Sequence, residues 1–181
     1  MKIMAGLNII KKYPELLDLI GLSESERHYD LLNIFRRDIA DNEDFSFRKR
    51  RIYPIKVQGE ADMGRLFKHL TCEEVLIENE DGSKYPKRVF EMARSQRLHW
   101  ILHHIKERTP ANIDIFTIEG RDAKKRKVKK TYIYDCVEEY VIVLEHQRSN
   151  AFYLLTAYYL NKEYGKKALI KKMGRRLPNV L

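Results

Sequence analysis

The run IDIFTIEGRDAKKRKVKKTYIYDCVEEYVIVLEHQRSNAFYLLTAYYL, from Ile113 to Leu160, decides the fold class. Before Pro110 the apolar spacing is mostly helical; beyond it the period drops from about 3.6 to about 2. β-branched and aromatic residues fill four runs, Ile113 to Ile118, Thr131 to Asp135, Tyr140 to Glu145 and Phe152 to Leu160, with short or polar connections between them. These predict a four-stranded, mostly antiparallel sheet, hence an α+β fold.

Upstream, Ala93 to Arg108 reads as one helix packed on that sheet, with an apolar stripe of Leu98, Ile101, Leu102 and Ile105 and a stop at Thr109-Pro110. Val75 to Asn79 and Arg88 to Met92 flank the turn residues Asp81-Gly82-Ser83 and predict a hairpin; the rival reading starts a helix at Pro86. Asp62 to Leu70 reads as a short helix. Ile52, Tyr53, Ile55 and Val57 around Pro54 read as an extended edge segment ending at Gly59.

Charge reverses between the acidic Asp41 to Asp44 and the basic Arg48 to Arg51, which suggests a linker. Before it, Ser23-Glu-Ser-Glu26 fits a capping box opening a helix that carries Tyr29, Leu32, Ile34, Phe35 and Ile39. Leu7 to Ile20, with Pro14 in its middle, suggests a kinked helix or two short helical pieces. Downstream, Lys162 to Arg176 predicts a basic C-terminal helix. The division that follows is an N-terminal helical region over 1–47 and an α+β domain over 48–181, with its core at about 86–165.

The chain has 181 residues, 44% of them hydrophobic, and 35 Lys and Arg against 26 Asp and Glu give a formal charge of +9. That excess favours polyanionic partners. Cys72 and Cys136 are too few for a disulfide framework and too far apart for a metal knuckle, so both are expected to be reduced, buried and apolar in role. The start, with Asn8 and Lys11-Lys12 interrupting its apolar stretch, predicts neither a signal peptide nor a membrane span, and cytoplasm is the default location.

Cations cluster at Arg48 to Arg51, in the Arg121 to Lys130 loop and in the C-terminal segment; the loop alone carries seven against one acid. Such runs are commonly just solvated, but tyrosines adjoin them: Tyr132 and Tyr134 after the loop, Tyr153, Tyr158 and Tyr159 in the last strand. Exposed tyrosines on a basic sheet can stack unpaired bases, and core packing is the competing explanation.

His99, His103 and His104 fall on the predicted helix. His99 and His103 at i,i+4 share a face, but no HExxH glutamate and no third ligand accompanies them, so no metal and no cofactor is expected. Acid–base work suits an imidazole better, with Arg97 or Arg94 to neutralise a phosphorane. Glu145, Arg148 and Thr156 are polar residues within or beside predicted strands. RNA cleavage by such a set needs no metal, because the ribose 2′-hydroxyl is itself the nucleophile. No Walker loop, GxSxG, Rossmann fingerprint or two-metal acidic cluster is present.

The segment Arg88-Val-Phe-Glu-Met-Ala-Arg94-Ser-Gln-Arg97-Leu-His-Trp-Ile101, followed by Thr131-Tyr-Ile-Tyr-Asp135, Tyr140-Val-Ile-Val-Leu144 and Tyr153-Leu-Leu-Thr-Ala-Tyr158, resembles the phage-associated nucleases of the barnase/EndoU/colicin/RelE-like superfamily. The resemblance covers roughly the last hundred residues. It implies a metal-independent ribonuclease fold of the kind used as a toxin, with an antitoxin or immunity protein as partner. By position it matches Arg97, His99 and Thr156 as catalytic residues and Lys130, Tyr132 and Tyr158 as substrate contacts, to which Arg94 and Arg148 add phosphate-binding capacity.

Three functions are therefore open. The first is a metal-independent endoribonuclease. The second is a non-catalytic RNA- or ribosome-binding module on the same sheet. The third is a protein-interaction domain that offers a basic face to an acidic partner.

Overall fold

The computed structural model describes residues 8–57, 60–122 and 124–180. The capping box forms as expected: Ser23 Oγ accepts from Glu26 N, and Glu26 Oε2 accepts from Ser23 N at 2.8 Å. It opens α1 (Glu24–Phe35), which runs on as a π-helical turn to Ala40. Then come β1 (Ser46–Phe47), β2 (Arg50–Pro54) and the two-residue strands β3 (Lys56–Val57) and β4 (Glu60–Ala61). Helix α2 (Met63–Thr71) follows, capped by Asp62, and then a hairpin of β5 (Cys72–Glu78) and β6 (Lys84–Phe90). Its turn uses Gly82 at φ +80° and Asp81, whose carboxylate accepts from Ser83 N. The chain continues through α3 (Met92–Ser95), α4 (Trp100–Ile105), β7 (Ile113–Arg121), β8 (Lys127–Asp135), β9 (Tyr140–His146), β10 (Phe152–Tyr159) and α5 (Glu163–Met173).

The α+β class holds, but the expected four-stranded, mostly antiparallel sheet is corrected. The sheet has six strands, is mixed, and curls into a half-barrel in the order β1-β2-β10-β9-β8-β7. The last four strands are the four expected ones, paired antiparallel in chain order. The additional pair arrives because β2 lies parallel to β10, with Ile52 opposite Phe152 and Pro54 opposite Leu154. Strand β1 pairs with β2 only through Arg50 and Arg51, so Pro54 lies past its reach and loses no ladder bond on that side.

Two further helical expectations are corrected. Of the helical pieces expected up to Ile20, only a 3₁₀ turn at Asn8–Ile10 forms, and the segment from Lys11 to Ile20 is irregular. It is held by Asn8, whose side chain bonds Asp18 N at 2.7 Å and Asp30 at 2.7 Å, and by Leu17 N donating to Gln96 O. That last bond also interrupts the single helix expected over 93–108. Between α3 and α4 the backbone tightens to i→i−3 bonds, Arg97 N to Arg94 O, Leu98 N to Ser95 O and Trp100 N to Arg97 O. Leu7 and Gly59, bounds of two expected segments, lie outside the described residues. Both cysteines are free, yet Cys136 is exposed and Cys72 half-buried, rather than both buried.

Each strand alternates between two faces. The inner face, with Ile133, Ile142, Leu144, Leu154 and Ala157, packs against Leu31, Ile34 and Phe35 of α1, Leu66, Phe67 and Leu70 of α2 and Trp100, Ile101 and Ile105 of α4. The outer face carries Phe116, Ile118, Tyr132, Val141 and Val143 and is partly covered by α5 through Leu169 and Met173. Side chains from both sides of the expected 47/48 boundary, such as Phe47 and Ile52, share the inner core.

Candidate nucleic-acid interface

An open groove of about 700 Å³ lies where the β7–β8 hairpin, the β9–β10 turn and β2 meet. Arg126, Lys127 and Lys129 form one wall, Gln147, Arg148 and Ser149 another, and Tyr53 and Lys56 close the third side. Glu145, His146 and Tyr153 line it between these walls. The hairpin loop is shaped by Asp122, whose carboxylate accepts from Arg126 Nε at 2.7 Å and from the N–H groups of Lys124 and Arg126 at 2.9 Å. The remaining loop cations stay in solvent. The β9–β10 turn is closed by Gln147 N donating to Ala151 O and carries Asn150 at φ +58°.

His146 is the groove's most constrained side chain. Its Nε2 lies 2.7 Å from Thr131 Oγ1, which is in turn 2.8 Å from Thr117 Oγ1, both threonines being fully buried. Its ring meets Phe152 edge-on at 4.7 Å. Burial, with Arg50 and Lys129 adding like-sign repulsion, pushes its pKa down to about 4. The imidazole is therefore neutral at physiological pH, with Nε2 tied and Nδ1 left to the groove. Glu145, on the outer face, accepts from Gln147 Nε2 at 3.3 Å.

The three residues matched as catalytic are not brought together. Arg97 is buried below the inner face: Nη1 donates to Ala93 O at 2.7 Å, and the guanidinium stacks 3.9 Å from the Tyr159 ring and 5.1 Å from Trp100. His99 turns the other way, toward Lys12, Arg37 and Asp38, is buried, and has its pKa pushed down to about 4 by that burial. Thr156 lies on the outer face, opposite Val143 after a bulge between Leu154 and Thr156.

The matched substrate contacts are also spread out. Arg94 donates from Nη1 to His69 O and Cys72 O, and shares a recess with Tyr158 beside α5. Burial pushes the Tyr158 hydroxyl up to about 12. Tyr132 stacks on Phe116 with ring centres 5.1 Å apart and is almost wholly buried, so core packing explains it. Lys130 lies in a separate recess on the outer face, and Arg148 is exposed on the groove rim. Tyr53, Lys56 and His146 complete the groove without having been singled out, and Lys129 enters it from the cation run of Arg121 to Lys130. The first two come from β2 and the short strand after it, and the parallel pairing of β2 has no local signal; His146 follows Glu145 at the end of a predicted strand.

Among the described residues, no group of three or more His, Cys, Asp or Glu side chains is arranged to hold a metal ion, and no helix is long and apolar enough to cross a membrane. No protein-family model, curated protein or solved structure matches the chain. The groove's own chemistry, a cationic rim over a neutral imidazole with two tyrosines at hand, thus carries the functional argument.

Proposed function

We propose that the protein is a metal-independent endoribonuclease that draws a single RNA strand through the groove at the end of its sheet. The observation that carries this reading is the convergence of Lys56, Arg126, Lys127, Lys129 and Arg148 around His146, Tyr53 and Tyr153. The cations meet successive phosphates, and the tyrosines offer ring faces to unpaired bases.

In this mechanism His146 accepts the 2′-hydroxyl proton through Nδ1, while Nε2–H donates to Thr131 Oγ1 and so holds the ring in place. The 2′-oxygen attacks the adjacent phosphorus, and the 5′-oxygen of the next nucleotide leaves with a proton from water. The extra negative charge of the phosphorane falls beside Lys129 and Arg148. The products are a 2′,3′-cyclic phosphate and a free 5′-hydroxyl.

The test is incubation with RNA in the presence of EDTA, followed by sequencing of the new ends. Wild type is expected to produce cyclic-phosphate ends, and His146→Ala to lower the rate by about 10²- to 10⁴-fold while still binding RNA. Undiminished cleavage by His146→Ala removes His146 from the mechanism. RNA binding with no cleavage by wild type favours a non-catalytic RNA-binding module, which the Nε2–Thr131 tie also suits as a purely structural bond.

A further inference from the structure

Two of the three cation-rich segments of the sequence, the Arg121 to Lys130 run and the C-terminal helix, meet on the outer face away from His146. Lys130 of β8, Lys172 of α5 and Arg175 just beyond α5 line one recess of about 530 Å³, whose floor is Tyr132 and whose far side is Arg121 and Lys127. Lys172 Nζ is 5.2 Å from the centre of the Tyr132 ring.

Most of the neighbouring carboxylates are engaged elsewhere. Asp122 holds Arg126 at 2.6 Å, Asp114 holds Arg176 at 2.9 Å, and Glu139 holds Lys166 at 2.6 Å. Among the described residues, Lys130, Lys172 and Arg175 have no carboxylate within ion-pair distance; Lys130 donates instead to Arg121 O at 3.3 Å. Glu145, opposite Lys130 in register, bonds Gln147, and Glu119, which also lines the recess, is its one acid against five cations. Burial, then Lys130 and Arg175, push the Lys172 pKa down, as expected of an amine that lacks a counter-ion in the folded chain.

Three cations held together without an ion-pair partner, in a recess whose lining has Arg121 and Lys127 besides and a single acid, Glu119, repel one another until an anion enters. We propose that Lys130, Lys172 and Arg175 form a second phosphate-binding subsite, which takes the backbone of the same RNA strand after it leaves the groove. Lys127, which lines both the groove and the recess, is the bridge between them. The inference rests on the reading of the groove as an RNA site and adds its direction: the strand passes the loop end of the β7–β8 hairpin, where Lys127 pairs with Arg121, toward α5.

The experiment compares two single-stranded RNAs, of about four and about twelve nucleotides, by fluorescence anisotropy across a salt series. The proteins are wild type, the outer-face variant Lys172→Met/Arg175→Gln and the groove variant Lys129→Ala/Arg148→Ala, each checked for an unchanged thermal melt. The outer-face variant is expected to bind the long RNA about tenfold more weakly, with a salt slope shallower by about 1 to 2, and the short RNA unchanged. Equal losses for both lengths, or no loss for either, overturn the subsite. Loss of both lengths in the groove variant alone keeps the groove and removes the subsite; an unaffected groove variant beside a crippled outer-face variant keeps the phosphate site and removes the groove. Failure of wild type to bind either RNA overturns both.

Discussion

His99, His103 and His146 each enter the folded state as neutral imidazoles, because burial pushes all three down to about 4. In the unfolded chain they take protons below about 6.5, so the unfolded state binds more protons between those limits and stability falls as pH falls through that window. The urea midpoint is expected to drop between pH 7 and 4. His99→Gln should flatten that dependence by at most about 1.4 kcal/mol per pH unit, since it removes one such proton. An unchanged slope would contradict a buried neutral His99. Asp135 adds a later step. Burial pushes its carboxyl up, but His104 Nε2 at 3.3 Å and hydrogen bonds from the Glu138 N–H and the Tyr13 hydroxyl outweigh this and hold it at about 2. Its stabilisation, full above the ordinary carboxylate range, is lost as pH falls toward 2. At this scale the site was only partly legible. Arg97 and His99, two apart on a helical turn, diverge as residues at that spacing must, so matching them to one cleft by sequence order overrode a local rule. Arg148, named as a polar residue bordering a predicted strand, lines the groove, whereas His146 carries no sign in the sequence of its buried threonine partner.

Elements were more legible where their partners are neighbours in the chain. The four strands β7 to β10 and the β5–β6 hairpin are both expected from the sequence, the hairpin's arms lying at Cys72–Glu78 and Lys84–Phe90 rather than at Val75 to Asn79 and Arg88 to Met92, since alternation and turn residues specify such pairings locally. Helix α1 was read from its capping box, and that box is testable: Ser23→Ala should cost about 1 kcal/mol, seen as a lower chemical-denaturation midpoint, with Glu26→Ala adding little once Ser23 is gone. Full additivity of the two would mean that the reciprocal bonds are not coupled. What failed were elements whose backbone bonds go to distant segments. Gln96 O accepts from Leu17 N, a contact across seventy-nine positions that converts one expected helix into α3 and α4 and keeps the Lys11 to Ile20 segment irregular. No window of ten to twenty residues contains that information.

For the molecule as a whole, the inner face of the sheet is covered, among the described residues, by the helices and segments that precede and flank it. Leu17, Leu31, Ile34 and Phe35 pack on the same core as Ile142, Leu144 and Leu154. A fragment restricted to 86–181, the span of the superfamily resemblance, is therefore expected to lose cooperative unfolding and to bind a hydrophobic dye, because it exposes that face and the β10 edge. A sharp thermal transition for the fragment, matching the full chain, would show that the N-terminal half is an accessory.

The parallel seam between β2 and β10 also sets an order in time. Ile52 meets Phe152, so a hundred positions separate partners that must lie side by side. On a ribosome adding about 5 to 20 residues per second, β2 waits roughly 5 to 20 s for its neighbour to emerge. Until β8 and β9 follow, late in that interval, Leu31, Ile34 and Phe35 have no sheet to cover. The half of the chain made first is the half completed last, and a nascent-chain chaperone that shields it during the wait is expected to raise the yield of folded protein.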